Sequence, residues 1–178
     1  MDPITIIRKY YPESSKAYSI LLDHSLLVSN KAVELALNHS ELNLDVKFVQ
    51  EAAMLHDIGV FLTYAPEIGC HGELPYLCHG YLGSELLQSL GYPRHALVCE
   101  RHTGTGLSMA DIIQLEFPIP PRDMRPVSIE EQLICFSDKF FSKSKPGKEK
   151  PVEKVRKSMA KYGQHHVTRF DAWCNMFL

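Results

Sequence analysis

Residues 15–39 read SKAYSILLDHSLLVSNKAVELALNH, and their apolar side chains recur at intervals of three and four. Ala17, Ile20, Leu21, Leu27, Val28 and Leu35 therefore share one face of a helix with about 3.6 residues per turn. His24 lies inside that apolar stripe. The same period governs most of the chain and strand-like alternation is nearly absent, which predicts an all-α domain of roughly six to eight helices.

Working outward, Asp45 caps a helix reaching about Asp57, and Gly59 is placed to let the chain turn away after it. Residues 58–78 carry Pro66, Gly69, Gly72 and Pro75 and predict a long irregular loop of the kind that often serves function. A helix from His79 to Leu90 stops at Gly91, and Pro93 opens another that runs to His102. Ser108 with Asp111 and Ser128 with Glu131 match helix caps, and Pro118, Pro120, Pro121 and Pro126 impose an extended linker between them. The helix after Ser128 carries Ile129, Leu133, Phe136 and Phe140 on one stripe, with Asp138 at its edge. Beyond Lys-rich residues 143–150, two further helices are expected at about 151–162 and 164–177.

A chain of 178 residues suffices for one compact core, and the expected organisation is a single domain over 1–178. Hydrophobic residues at 45% and charged residues at 22% exclude disordered and fibrous classes. No apolar run approaches the ~20 residues that cross a bilayer. The opening MDPITIIRKYYPESS puts charge and proline where an export signal would be apolar, so the expected compartment is the cytoplasm, with no membrane partner. Five cysteines without a Cys-x-x-Cys pair read as buried or idle thiols. Charge is lopsided: residues 1–138 hold 9 Lys/Arg against 18 Asp/Glu, and residues 139–178 hold 10 against 3. Such a basic tail suits phosphate, nucleic acid or an anionic surface, or simply complements an acidic body; no nucleic-acid motif accompanies it, so nucleic acid is not the expected partner.

Four histidines and two aspartates, His24, His56, Asp57, His79, His102 and Asp138, fall at inward-facing or terminal positions of five helices. A lone histidine on an apolar face is ordinarily a hydrogen-bonded core residue. A buried carboxylate, however, costs on the order of several kcal/mol unless a partner offsets it, and an adjacent cation does so. His56 and Asp57 would point about 100° apart within a helix, but a helix ending there turns both toward one cavity, where a carboxylate can bridge two ions. Imidazole with carboxylate suits iron, manganese, cobalt, nickel or zinc rather than calcium. His95, Cys99 and His102 are spaced like zinc ligands but lack a fourth, and His165, His166 and Trp173 read as packing or surface residues.

On these residues the chain resembles the HD-domain phosphohydrolase superfamily in its HDIG subset. The matching positions are His24 in LLDHSLLV, His56-Asp57 in MLHDIG and Asp138 in FSDKFF, with His79 in CHGYLG and His102 in ERHTGTG as the extra histidines of dinuclear members. HGYLG, ERHTG and SDK together look most like the bacterial symmetrical diadenosine tetraphosphatases. The resemblance implies an HD core over about 15–143, with a basic helical extension at 144–178. It implies that His24, His56, Asp57 and Asp138 hold one divalent transition ion, iron or manganese foremost, and that Asp57 bridges to a second completed by His79 and His102. Asp57 is thereby also the catalytic residue, and water activated between the ions attacks a phosphoester or phosphoanhydride of a nucleotide or other small phosphorylated substrate. Lys139, Arg101, Lys143 and His71 are the candidate substrate-binding residues. The competing functions are a di-iron oxygenase of the same superfamily and a non-catalytic metal- or nucleic-acid-binding module.

Overall fold

The computed structural model describes residues 1–144 and 147–178, leaving Lys145 and Pro146 of the Lys-rich stretch outside the described residues. It is all-α. The helices are α1 (Pro3–Tyr10), α2 (Lys16–Asn38), α3 (Val46–Leu55), α4 (His79–Ser89), α5 (Pro93–Arg101), α6 (Met109–Gln114), α7 (Ile129–Asp138), α8 (Val152–Met159) and α9 (Gln164–Phe177). Side-chain caps start four of them where the sequence places the helix starts: Ser15 accepts from the Tyr18 amide, Asp45 from Phe48 and Ser128 from Glu131, and Ser108 with Asp111 closes a full capping box. Gly91, at φ 83°, lets the chain leave α4 as expected. None of the described helices is long and apolar enough to cross a membrane.

Three expectations are corrected. The N-terminal decapeptide forms α1, which brings the described helices to nine; Asp2 caps it, Pro3 supplies its first turn, and Ile6 and Ile7 bury its inner face. The segment 58–78 is not irregular throughout. It contains short 3-10 turns and a three-stranded sheet, in which β1 (Thr63–Ala65) pairs antiparallel with β2 (Cys70–His71) and parallel with β3 (Leu74–Pro75). Helix α7 ends at Asp138, so Phe140 and Phe141 lie beyond it, although both remain buried.

Two apolar clusters meet along α2. Ile7, Tyr11, Leu21, Leu55, Ile58 and Leu87 belong to one. Val28, Phe48, Leu133, Phe136, Phe170 and Trp173 belong to the other, so α8 and α9 share a core with α2, α3 and α7. His24 sits between Leu21 and Val28, at the seam. The Tyr11 hydroxyl donates to the Ile58 carbonyl (2.9 Å) and accepts from the Phe61 amide (2.9 Å), tying α1 to the segment just past His56-Asp57.

Gly59 works differently from its expected role as a turning point. It lies inside a 3-10 turn, Ile58–Leu62, without a positive φ, and that turn packs on α4. A Cβ at Gly59 would stand 2.3 Å from the His79 carbonyl oxygen and 2.4 Å from the Gly83 amide nitrogen. Backbone therefore meets backbone here, and neither side can yield. Gly59→Ala is expected to destabilise the protein by about 1–3 kcal/mol, read from urea unfolding; an unchanged midpoint would contradict this close approach.

Helix α9 is anchored through His166, which is fully buried and shares a 2.7 Å hydrogen bond with the Thr105 hydroxyl. Burial, reinforced by neighbouring His165, lowers its pKa to about 4. Neutral His166 thus contributes stability above an unfolded value near 6.5, and that contribution is lost as pH falls from there toward about 4. Urea midpoints at pH 7 and pH 4.5 should accordingly differ more for the wild type than for His166→Gln. Equal pH slopes would count against the assignment.

Candidate metal centre

Five elements converge on one polar pocket in this apolar surround. His24 comes from the middle of α2, His56 and Asp57 from the end of α3, His79 from the start of α4, His102 from the residue after α5, and Asp138 from the last turn of α7. Helix α3 stops at Leu55, and Asp57 adopts φ −108°, ψ 12°, outside helical geometry, so both side chains of the pair enter the same space. His24, His56, Asp57, His79 and His102 are all buried, and the Asp138 side chain is only 13% exposed.

The two oxygens of Asp57 face different partners. Oδ2 lies 3.1 Å from His24 Nε2 and 2.9 Å from His56 Nε2. Oδ1 lies 3.3 Å from His79 Nε2 and 3.4 Å from His102 Nε2. Asp138 Oδ1 completes the first group, 3.0 Å from His24 Nε2 and 3.5 Å from His56 Nε2. The result is a four-residue set and a three-residue set joined through one carboxylate, each compact enough to surround a metal ion.

Three of the imidazoles are oriented by the same local device. The Nδ1 atoms of His56, His79 and His102 donate to the carbonyls three residues back, Ala53 (2.6 Å), Tyr76 (2.6 Å) and Cys99 (2.7 Å). For His56 and His102 the acceptors are carbonyls of a last helical turn, which lack intrahelical partners; for His79 it is the Tyr76 carbonyl of the preceding 3-10 turn, which also accepts the His79 amide. With Nδ1 carrying a proton, each Nε2 is aimed into the pocket; those of His79 and His102 present lone pairs, whereas His56 stays charged until its Nε2 proton gives way to an ion. His79 Nε2 and His102 Nε2 then face one another at 3.0 Å. Burial lowers His79 to about 3 and also lowers His102, so neither ring holds a second proton that could bridge the gap.

Such an arrangement calls for a cation. His24 Nε2, His56 Nε2 and both oxygens of Asp57 are buried without a well-directed hydrogen bond. Burial opposes charge on Asp57 and Asp138, yet nearby positive groups, His56 and Lys143 for the first and Lys139 for the second, hold both well below the ordinary carboxylate range. Burial likewise opposes charge on His56, but the two carboxylates outweigh it and raise the group to about 9. The Lys143 ammonium, 2.5 Å from Asp57 Oδ2, supplies part of the positive charge a metal would bring. The donor set, nitrogen lone pairs with carboxylate oxygens, is compatible with divalent metal binding.

Of the four residues expected to meet substrate, two are at the pocket and two are not. Lys143 reaches Asp57 from a turn beyond α7 rather than from a helix. Lys139 contacts Asp138 Oδ2 (2.8 Å) and the His102 carbonyl (2.8 Å), bracing two of the converging elements. Arg101 points away and pairs with Glu131 (2.8 Å), a structural role. His71 is exposed on β2, held opposite Tyr64 by strand pairing, and does not line the pocket. Tyr76, which the sequence did not single out, does line it: its ring stacks near His79 and faces the Lys143 ammonium. The pocket opens into a cavity of about 290 Å³ bounded by His24, Glu67, Tyr76, Asp138 and Lys143 among others.

The family model described as the HD domain matches residues 21–142, which contain all six clustered side chains. The chain belongs to the HD domain family. An uncharacterized protein of Methanocaldococcus jannaschii is 32% identical over 165 residues, covering 86% of this chain and 89% of that protein. Proteins named tRNA (cytidine(56)-2'-O)-methyltransferase are also similar, from Thermoplasma volcanium at 27% identity over 72% of this chain and from Picrophilus torridus at 26% over 75%. This HD-domain chain spans 34% and 38% of those two proteins, about a third of each. No solved structure matches it.

If the cluster holds two ions through Asp57, elemental analysis of manganese- or iron-loaded protein should find about two equivalents per chain. His102→Ala should retain about one, and Asp57→Ala almost none, with circular dichroism reporting an intact fold. Equal metal content in all three proteins would sink the two-set reading.

Proposed function

We propose that the chain is a metal-dependent phosphohydrolase acting on a phosphoester or phosphoanhydride of a nucleotide or another small phosphorylated molecule. The observation that carries this reading is the division of labour at Asp57, one oxygen toward His24 and His56 and the other toward His79 and His102. Divalent ions bound there would supply an activated water and positive charge for the phosphoryl oxygens. Hydrolysis then forms one bond from the water oxygen to phosphorus and breaks the bridging P–O bond, with the proton passing to the leaving oxygen.

This chain's own residues prepare the site for that chemistry. The i−3 carbonyls lock three imidazoles with Nε2 inward, so no reorientation is needed when ligands engage. Lys139 and Lys143 keep Asp138 and Asp57 ionised and offset their negative charge beside the cavity, which removes the repulsion a phosphorylated ligand would otherwise meet there. No buried serine or cysteine need act as nucleophile; the Cys99 thiol is committed to the His56 carbonyl and pushed up strongly by burial. The finer likeness to the HDIG subset and to symmetrical diadenosine tetraphosphatases rests on the HGYLG, ERHTG and SDK motifs and belongs to this proposal.

A phosphate-release screen over nucleotides, dinucleoside polyphosphates and simple phosphomonoesters, with manganese, iron or cobalt, tests it. The wild type should release phosphate or a nucleotide, and Asp57→Asn should be slower by at least about a hundredfold, roughly 2.7 kcal/mol on the barrier. Oxygen uptake without phosphate release, or full turnover by Asp57→Asn, would refute the proposal.

A further inference from the structure

A second cavity, of about 400 Å³, adjoins the first, and Asp138 and Phe141 form walls of both. Five lysines line it: Lys139, Lys150, Lys154, Lys157 and Lys161. Its one acidic wall residue is Asp138, already paired with Lys139 and packed against the histidines. Lys154, Lys157 and Lys161 recur at intervals of three and four along α8 and the 3-10 turn that continues it, so they edge the cleft as a single stripe. Among the described residues no carboxylate forms an ion pair with Lys150, Lys154, Lys157 or Lys161, whereas Arg156 on the same helix is held by Asp171. Lys150 is fixed by its donation to the Phe141 (2.7 Å) and Lys139 (3.1 Å) carbonyls. Its pKa is lowered by burial, with Lys139, Lys143 and Lys154 adding to the effect and Asp138 opposing it, as a crowd of like charges requires.

Resting on the phosphohydrolase reading, we infer that this lysine cleft is a subsite for the non-reacting phosphates of an oligophosphate chain whose reacting phosphorus lies at the six-residue cluster. The cleft is built where the HD core, ending at residue 142, meets α8 outside it, so the extension selects substrate rather than merely completing the core. Three lysine positions within residues 154–161 span about 10 Å of helix, several phosphates' worth of charge to neutralise. The cavity has the volume of a small-molecule site. A nucleic-acid strand fits less well, because the one aromatic wall, Phe141, is buried and offers no stacking platform. A membrane surface fits less well too, since Val155 and Met159, the apolar face of α8, are turned into the core.

The test compares the wild type with Lys154→Ala/Lys157→Ala/Lys161→Ala, three exposed positions whose loss leaves the core and the cluster in place. Calorimetric binding of inorganic tripolyphosphate to chelator-treated protein should weaken about tenfold in the variant. With metal-loaded protein, kcat/KM for tripolyphosphate should fall about tenfold relative to that for para-nitrophenyl phosphate, with bound metal unchanged. Unaltered tripolyphosphate affinity, or an equal loss on both substrates, would overturn the inference. Salt-sensitive binding of a single-stranded oligoribonucleotide that the variant loses, with tripolyphosphate binding intact, would assign the cleft to nucleic acid instead. Should the wild type hydrolyse neither these two compounds nor any member of the nucleotide and dinucleoside polyphosphate screen, the phosphohydrolase reading falls, while the calorimetric comparison still decides the cleft.

Discussion

A fully buried carboxylate with both oxygens lacking a well-directed hydrogen bond is the constraint around which this protein is arranged. Asp57 sits among four imidazole nitrogens and one ammonium, in a protein whose interior is otherwise mostly apolar. Left uncompensated, such a group would cost more than a domain of this size can spare. Positive charge must therefore enter the pocket. Lys143 and His56 supply some of it from the protein itself, but lone pairs that face each other, as at His79 and His102, are satisfied only by something that accepts electrons from both.

The fold serves that need through small local devices. Helices α3 and α5 end beside the cluster, and each of these two endings leaves a spare carbonyl that orients the imidazole three residues later. Gly59 lets backbone touch backbone so that the segment after His56-Asp57 lies on the start of α4, which carries His79. Tyr11 clamps the same segment from the other side. Stability and site geometry are thus not separable here, because the contacts that order the chain between α3 and α4 also set the position of half the cluster.

Much of this was legible in the sequence, and the failures have physical causes. Apolar residues at intervals of three and four mark α2 without ambiguity, and Ser, Asp and Gly at its neighbours' ends mark their limits. The cluster was visible because histidine and aspartate are conspicuous on apolar faces. Long flexible side chains were not placeable, since the direction in which Arg101 or Lys143 points depends on partners far away in sequence, Glu131 for one and Asp57 for the other. The outward placement of His71 was not legible because strands of two or three residues carry too little periodicity to be seen, and it is strand pairing that holds it there. Helix α7 closes earlier than its stripe suggested because Phe140 and Phe141 are buried by tertiary packing, not by helical phase. Helix α1 did carry a signal, an Asp-Pro start, overlooked because its apolar stretch is so short.

The HD domain match contains the cluster, while the lysine cleft arises where α8, which follows the family core and shares its hydrophobic interior, meets the core's last residues. Chemistry and selectivity would then reside in different parts of one packed unit, with Asp138 and Phe141 at their junction. The central claim, two ions held through one aspartate, is tested most directly by anomalous diffraction from crystals of manganese-loaded protein. It predicts two peaks flanking the Asp57 carboxylate, about 3.5–4 Å apart, one beside His24, His56 and Asp138 and the other beside His79 and His102. A single peak with His79 and His102 turned away from it, or none with Lys143 still seated on Asp57, would contradict it.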